Sequence, residues 1–103
     1  MRADAGRELR DGWQVASTVA GAAAHPDDLA ELDLRWLDAV VPGTAAGAVR
    51  AADGEDAARG TAYDDLDWWW RTTVLVEEPG AYRLHLDGVA TVHEVFLNGE
   101  RIG

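Results

Sequence analysis

Three consecutive tryptophans, Trp68-Trp69-Trp70, closed by Arg71, constrain this chain more than any other stretch. The residues that follow, Thr72-Thr73-Val74-Leu75-Val76, are β-branched and apolar, so the sequence predicts a strand over 68–76. Side chains alternate faces along a strand. Trp68 and Trp70 then share one face with Thr72, and Trp69 and Arg71 take the other. Large apolar area on both faces suits a strand held between its own core and a second body. A sheet with one wet face has no use for it.

At 103 residues the chain is one domain at most, and such a chain buries roughly 60–70% of its unfolded surface. All nine basic residues are arginine, against 19 acidic ones, for a formal charge of −10. That balance argues against a phosphate-binding surface, so no nucleic acid is expected, and it opposes attachment to anionic lipid. Uncharged substrates such as sugars are compatible with it. No cysteine is present, which removes disulfides and thiol chemistry. The first residues carry mixed charge and form no secretory leader, and no apolar run is long enough to span a membrane. The expectation is a cytoplasmic protein.

In chain order, residues 1–11 read as a polar lead-in and residues 12–103 as the folded part. Trp13-Gln14-Val15-Ala16-Ser17-Thr18-Val19 alternates as a strand with one mostly apolar face. Pro26-Asp27-Asp28 resembles a helix start. Leu29, Leu32, Trp36 and Leu37 then fall on one helical face, predicting a helix over about 27–37, although Leu32-Leu34-Trp36 also fits an extended alternation. Val41-Pro42-Gly43 marks a turn. Thr44 can cap a helix over 45–52. Residues 53–65, rich in Gly and Asp, read as a loop. After the tryptophans come a turn over 77–80, a half-exposed antiparallel strand over 81–86, a break at Gly88 and a strand over 92–97. Asn98-Gly99 is a type I′ hairpin signal. The returning arm, Glu100-Arg101-Ile102-Gly103, has barely begun, so the sequence is expected to be cut from something longer.

Candidate chemistry is sparse. Asp64, Asp65 and Asp67 cluster before the tryptophans, but a calcium loop needs further ligands at set spacing and a closing Glu. His85 and Asp87 share a strand face near His93-Glu94, a pattern that sheet surfaces carry routinely. Ser17 is the only serine and has no glycine elbow around it, which argues against a hydrolase nucleophile. No Gly-rich phosphate loop is present. The aromatics remain. Trp68 and Trp70 read as core. Trp69 is a candidate for stacking on a sugar, provided that its ring is exposed.

The order of these motifs resembles a known family. Gly12-Trp13 opens a strand, and Trp36 is followed by Val41-Pro42-Gly43-Thr44. Then come Asp67-Trp68-Trp69-Trp70-Arg71-Thr72-Thr73, Leu86-Asp87-Gly88-Val89-Ala90-Thr91-Val92 and Val95-Phe96-Leu97-Asn98-Gly99-Glu100. Together they look like the N-terminal sugar-binding domain of glycoside hydrolase family 2, most closely its β-mannosidase branch, over residues 12–103. Trp70 stands where that family usually has Tyr, and Val89 where it often has Leu. The Ala-rich segment 20–30 does not match.

The resemblance implies a mainly β fold, part of a galactose-binding-like jelly-roll sandwich, with one or two short helices. It implies that this piece is non-catalytic, needs no cofactor or metal, and packs against the rest of the sandwich and a (β/α)8 barrel. That barrel would carry two glutamates about 5 Å apart and hydrolyse terminal β-D-mannosides with retention. The residues that the motifs single out as structural anchors are Trp13, Trp36, Pro42, Gly43, Trp68, Trp70, Arg71, Asn98 and Gly99. The alternatives are a free-standing carbohydrate-binding module, or the same enzyme family with exo-β-glucosaminidase, β-galactosidase or β-glucuronidase specificity.

Overall fold

A computed structural model describes residues 9–74 and 94–102, and the backbone alone of 2–3 and 84–85. The elements in order are β1 (Arg2–Ala3), β2 (Gln14–Val19), α1 (Pro26–Leu29), β3 (Leu37–Asp38), α2 (Ala45–Asp53), α3 (Glu55–Gly60), β4 (Leu66–Arg71), β5 (Leu84–His85), β6 (Phe96–Leu97) and β7 (Glu100–Arg101). A 3-10 turn at Tyr63–Asp65 leads into β4. Among the described residues every strand pairing is antiparallel: β1 with β5, β6 with β7, and a central sheet ordered β3-β2-β4.

The central sheet is organised around Val15, which is 0% exposed. The register explains why. Val15 sits on the middle strand, opposite Leu37 on one side and Trp70 on the other. Burying a valine side chain stabilises by roughly 1.5–3 kcal/mol. Trp13 is buried just before the strand, and its Nε1–H donates to the Leu9 carbonyl at 2.7 Å. The expected one-faced strand is corrected here. Ala16 and Thr18 are buried as well, so β2 is covered on both sides, and Val19 at its end is 74% exposed.

The expected helix over 27–37 shortens to a single turn. Its start follows the sequence. His25 Nδ1 accepts from the Asp27 N–H at 3.1 Å, and the Asp28 carboxylate accepts from the His25 and Ala24 N–H groups, each at 3.1 Å. After Ala30 the chain leaves the helix, because Leu37 is drawn into β3 opposite Val15. The extended alternation of Leu32, Leu34 and Trp36 does not form a strand either: Leu32 and Leu34 donate back to the Leu29 and Leu32 carbonyls at 3.2 and 2.9 Å, and only Leu37–Asp38 pairs, a tertiary pairing that outweighs a weak local propensity.

α2 forms where Thr44 predicts it: the hydroxyl accepts from the Gly47 N–H at 3.0 Å. The expected loop over 53–65 is the second correction, since it contains α3. Glu55 and Asp56 occupy the first turn of α3 and Arg59 the last, the arrangement that complements a helix dipole. Glu55 also pairs with Arg50 at 2.6 Å and with Arg59 at 3.6 Å. The two helices bury only small side chains, Ala48, Val49 and Ala58.

β4 begins two residues before Trp68 and stops at Arg71, shorter than the strand expected over 68–76. Thr72 is instead tied to the segment before β2: its hydroxyl lies 3.1 Å from the Asp11 carbonyl and 3.2 Å from that of Gly12. Thr73 and Val74 are not part of a strand, and residues 75–76, the turn at 77–80, the break at Gly88, residues 81–83 and 86 of the next expected strand and residues 92–93 of the last lie outside the described residues. The lead-in over 1–11 is not featureless, since Arg2 and Ala3 pair with His85 and Leu84. Asn98-Gly99 makes the predicted hairpin. Both residues have positive φ, 50° and 84°, and Leu97 pairs directly with Glu100, as a type I′ turn requires.

Candidate functional site

β4 presents two different surfaces. On one, Trp69 lies opposite Ala16 and Arg71 opposite Gln14. Trp69 is half-buried and stacks on Phe96, ring centroids 6.2 Å apart at 27°. Its Nε1 is buried and has no hydrogen-bond partner among the described residues. A half-buried indole with a phenyl ring beside it is not the open platform that sugar stacking needs. Phe96 is held in turn by His25, edge-on at 5.5 Å, and His25 Nε2–H donates to the Gly99 carbonyl. This surface therefore docks the β6–β7 hairpin. Arg71 is exposed yet engaged. Its Nε and Nη2 donate to Gln14 Oε1 at 3.0 and 2.9 Å, and its guanidinium lies 3.7 Å over the Trp36 ring.

On the other surface Trp68 lies opposite Ser17. Trp68 is fixed by Tyr63: the rings stack at 5.5 Å and 28°, and the indole Nε1–H donates to the Tyr63 carbonyl at 3.1 Å. Trp68, Leu37 and Val49 form the apolar wall of a cleft of about 180 Å³. Ser17, Arg35, Asp53 and Thr61 supply its polar groups. α2 ends at Asp53, an acid at a helix C-terminus, which the dipole disfavours. Arg35 offsets this with a bidentate fork, Nη1 and Nη2 at 2.7 and 2.6 Å from the two carboxylate oxygens. Those hydrogen bonds, more than any other influence, hold the Asp53 carboxyl below the usual carboxylate range and push the Arg35 guanidinium up. Thr61 donates to the Ala57 carbonyl at 2.8 Å. The Ser17 hydroxyl is half-exposed and makes no hydrogen bond among the described residues.

No family model, curated protein or solved structure matches this chain.

The remaining candidates are placed as follows. Asp64 and Asp65 are exposed on the 3-10 turn, while the Asp67 carboxylate accepts from the Gly21 N–H at 2.9 Å. Among the described residues no cluster of three metal-ligating side chains occurs. Asp87, His93 and the side chain of His85 lie outside the described residues, and Glu94 pairs with Arg101 at 3.8 Å. Of the anchors, Trp13 is buried, and Trp36, Trp68 and Trp70 are half-buried. Pro42 is exposed and follows a cis peptide bond from Val41. Gly43 is required, because a Cβ there would run into the Val40 carbonyl. Sequence reasoning missed the cleft. Arg35 and Asp53 are 18 residues apart, and no local spacing signals their meeting.

Proposed function

We propose that this chain is part of the N-terminal, non-catalytic sandwich domain of a family 2 glycoside hydrolase of the β-mannosidase type. The observation that carries the proposal is the order of five motifs from Gly12-Trp13 to Asn98-Gly99. Two local features support it. The Gly12-Trp13 segment and the tryptophan strand are neighbours in space, through the β2–β4 pairing and the Thr72 contacts. The Pro-Gly-Thr motif ends in the cap of α2. The finer fold proposed is a galactose-binding-like jelly roll, and the antiparallel sheets are compatible with it.

In this proposal the chain is scaffold, and its partners are the remaining strands of the sandwich and a catalytic barrel. The acid–base and nucleophilic glutamates belong to that barrel, and the parent takes terminal β-D-mannosides. The carboxylate in the cleft is unsuited to the acid role. A glycosidase acid needs a raised pKa, and Asp53 has a lowered one. The test is to read the encoding gene past the Gly103 codon and assay the full-length product. A panel of aryl β-mannoside, glucosaminide, galactoside and glucuronide is used. The expected outcome is a downstream barrel with two strand-end glutamates and hydrolysis of the mannoside with retention. A gene without such a barrel overturns the proposal.

A further inference from the structure

Asn98 is the only asparagine in the chain, and glycine follows it. Its side chain is exposed, and among the described residues no hydrogen bond holds its amide. The Gly99 N–H likewise has no acceptor there, and glycine has no side chain to shield its nitrogen. The hairpin around this pair is short. Phe96 pairs with Arg101, Leu97 with Glu100, and the Ile102 N–H donates to the Val95 carbonyl at 2.8 Å.

We propose that Asn98 is a site of spontaneous deamidation, and that docking of the β6–β7 hairpin on Trp69 sets its rate. The Gly99 nitrogen loses its proton to hydroxide and attacks Cγ of Asn98. The N–Cγ bond forms, the bond from Cγ to the side-chain nitrogen breaks, and ammonia leaves with a proton taken from water. Water then opens the cyclic imide. Cleavage of the new N–Cγ bond gives an aspartyl residue at position 98. Cleavage on the α-carbonyl side leaves the main chain running through Cγ, an isoaspartyl link. Overall, one amide and one water become one carboxylate and one ammonium ion. Attack requires the backbone at Asn98 to rotate until the Gly99 nitrogen faces Cγ, which the closed type I′ turn opposes. The reacting state is therefore the locally opened hairpin. Two contacts hold it closed, the stacking of Phe96 on Trp69 and the bond from His25 to the Gly99 carbonyl. One feature favours opening: Trp69 Nε1, buried without a partner among the described residues, gains water when the hairpin lifts.

The two products act differently on the fold. Position 98 has φ 50°, a region that aspartate and asparagine both visit, so the aspartyl product keeps the turn. The isoaspartyl link adds a methylene to the main chain, which displaces Gly99 from His25 and breaks the Leu97–Glu100 register. In either product a new charge lands beside Glu100 and near Asp27, whose carboxylate lies 3.8 Å from where a Cβ on Gly99 would stand.

The test holds the full chain at neutral and at mildly alkaline pH and follows its peptides by mass spectrometry, with fragmentation that separates the two products. An amide-to-acid mass gain at Asn98, faster at the higher pH and with isoaspartyl product present, is expected. The Asp-Gly pairs at 11–12, 53–54 and 87–88 isomerise without change of mass and do not imitate it. His25→Ala is expected to speed the reaction roughly 2- to 10-fold, the loss of one hydrogen bond from the closed state. Phe96→Leu is expected to act in the same direction, and the chain unfolded in urea to react fastest. The Trp69 indole NMR signal is expected to shift in the isoaspartyl fraction and to stay in place in Asn98→Asp. An Asn98 that stays intact in the folded chain overturns the site. A rate unchanged by both His25→Ala and Phe96→Leu, or no slower folded than unfolded, overturns the role of docking. A Trp69 signal that stays in place in the isoaspartyl fraction overturns the release of the hairpin.

Discussion

Trp68 and Trp69 are neighbours of equal size, half-buried alike, and differ at one atom. The Trp68 Nε1–H has a carbonyl partner, whereas that of Trp69 is buried without one among the described residues. Removing a satisfied donor costs about 0.5–1.5 kcal/mol, although the Tyr63 carbonyl still accepts from the Leu66 N–H, while removing an unsatisfied buried one relieves a desolvation penalty. Trp68→Phe is therefore expected to destabilise by about 1 kcal/mol more than Trp69→Phe. Urea denaturation of the two variants checks the difference, and equal losses would remove the distinction drawn between the two faces. Gly43 gives a second contrast of this kind. It is exposed, where substitutions are usually within about 0.5 kcal/mol. Yet Gly43→Ala must push the new methyl away from the Val40 carbonyl. A loss of roughly 1–3 kcal/mol is expected in the same measurement, the ordinary cost of forced overpacking.

At the scale of elements, what could be read from the sequence was what short range decides. Thr44 and the alanines after it specify α2, and Asn98-Gly99 specifies its hairpin, because each signal lies within four residues of its effect. Thr44→Ala is expected to lower stability by about 1 kcal/mol and Thr44→Ser to restore most of it, since the cap is one hydroxyl accepting from Gly47. A thermal melt of the pair decides this, and an equal loss in both would mean that the methyl group matters and not the cap. The 27–37 segment could not be read because two periodicities competed there, and the partner that ended the helical one, Val15, is 22 residues away from Leu37. α3 is a different case. Its acids and Arg59 were visible, but Gly54 before it and Gly60 at its end spelled a loop. What stops it being one is the Arg50–Glu55–Arg59 pairing and the burial of Ala58. The cleft was illegible throughout, since its walls come from β2, β3, α2 and β4 and no motif spans them.

For the whole molecule, one local pair sits inside a strongly acidic field. Arg35 holds the Asp53 carboxyl below its ordinary value of about 3.9. A depressed folded value means that the unfolded chain takes up its proton first as pH falls. The pair's contribution is thus complete above the ordinary value and lost as pH drops from there through the lower folded one. Acidification also protonates the other carboxylates and relieves the repulsion of a chain at −10, which acts in the opposite sense. The two effects separate in a comparison of wild type with Arg35→Gln. Repulsion is nearly common to both chains, so the gap between their urea midpoints reports the pair. That gap is expected to be constant from neutral pH down to about pH 4 and to close below it. It is also expected to be modest and to shrink with added salt, because the Arg35 side chain is 67% exposed. A gap that does not narrow at all as pH falls below about 4, or one that opens only below pH 4, would show that Arg35 acts through some contact other than the Asp53 carboxylate.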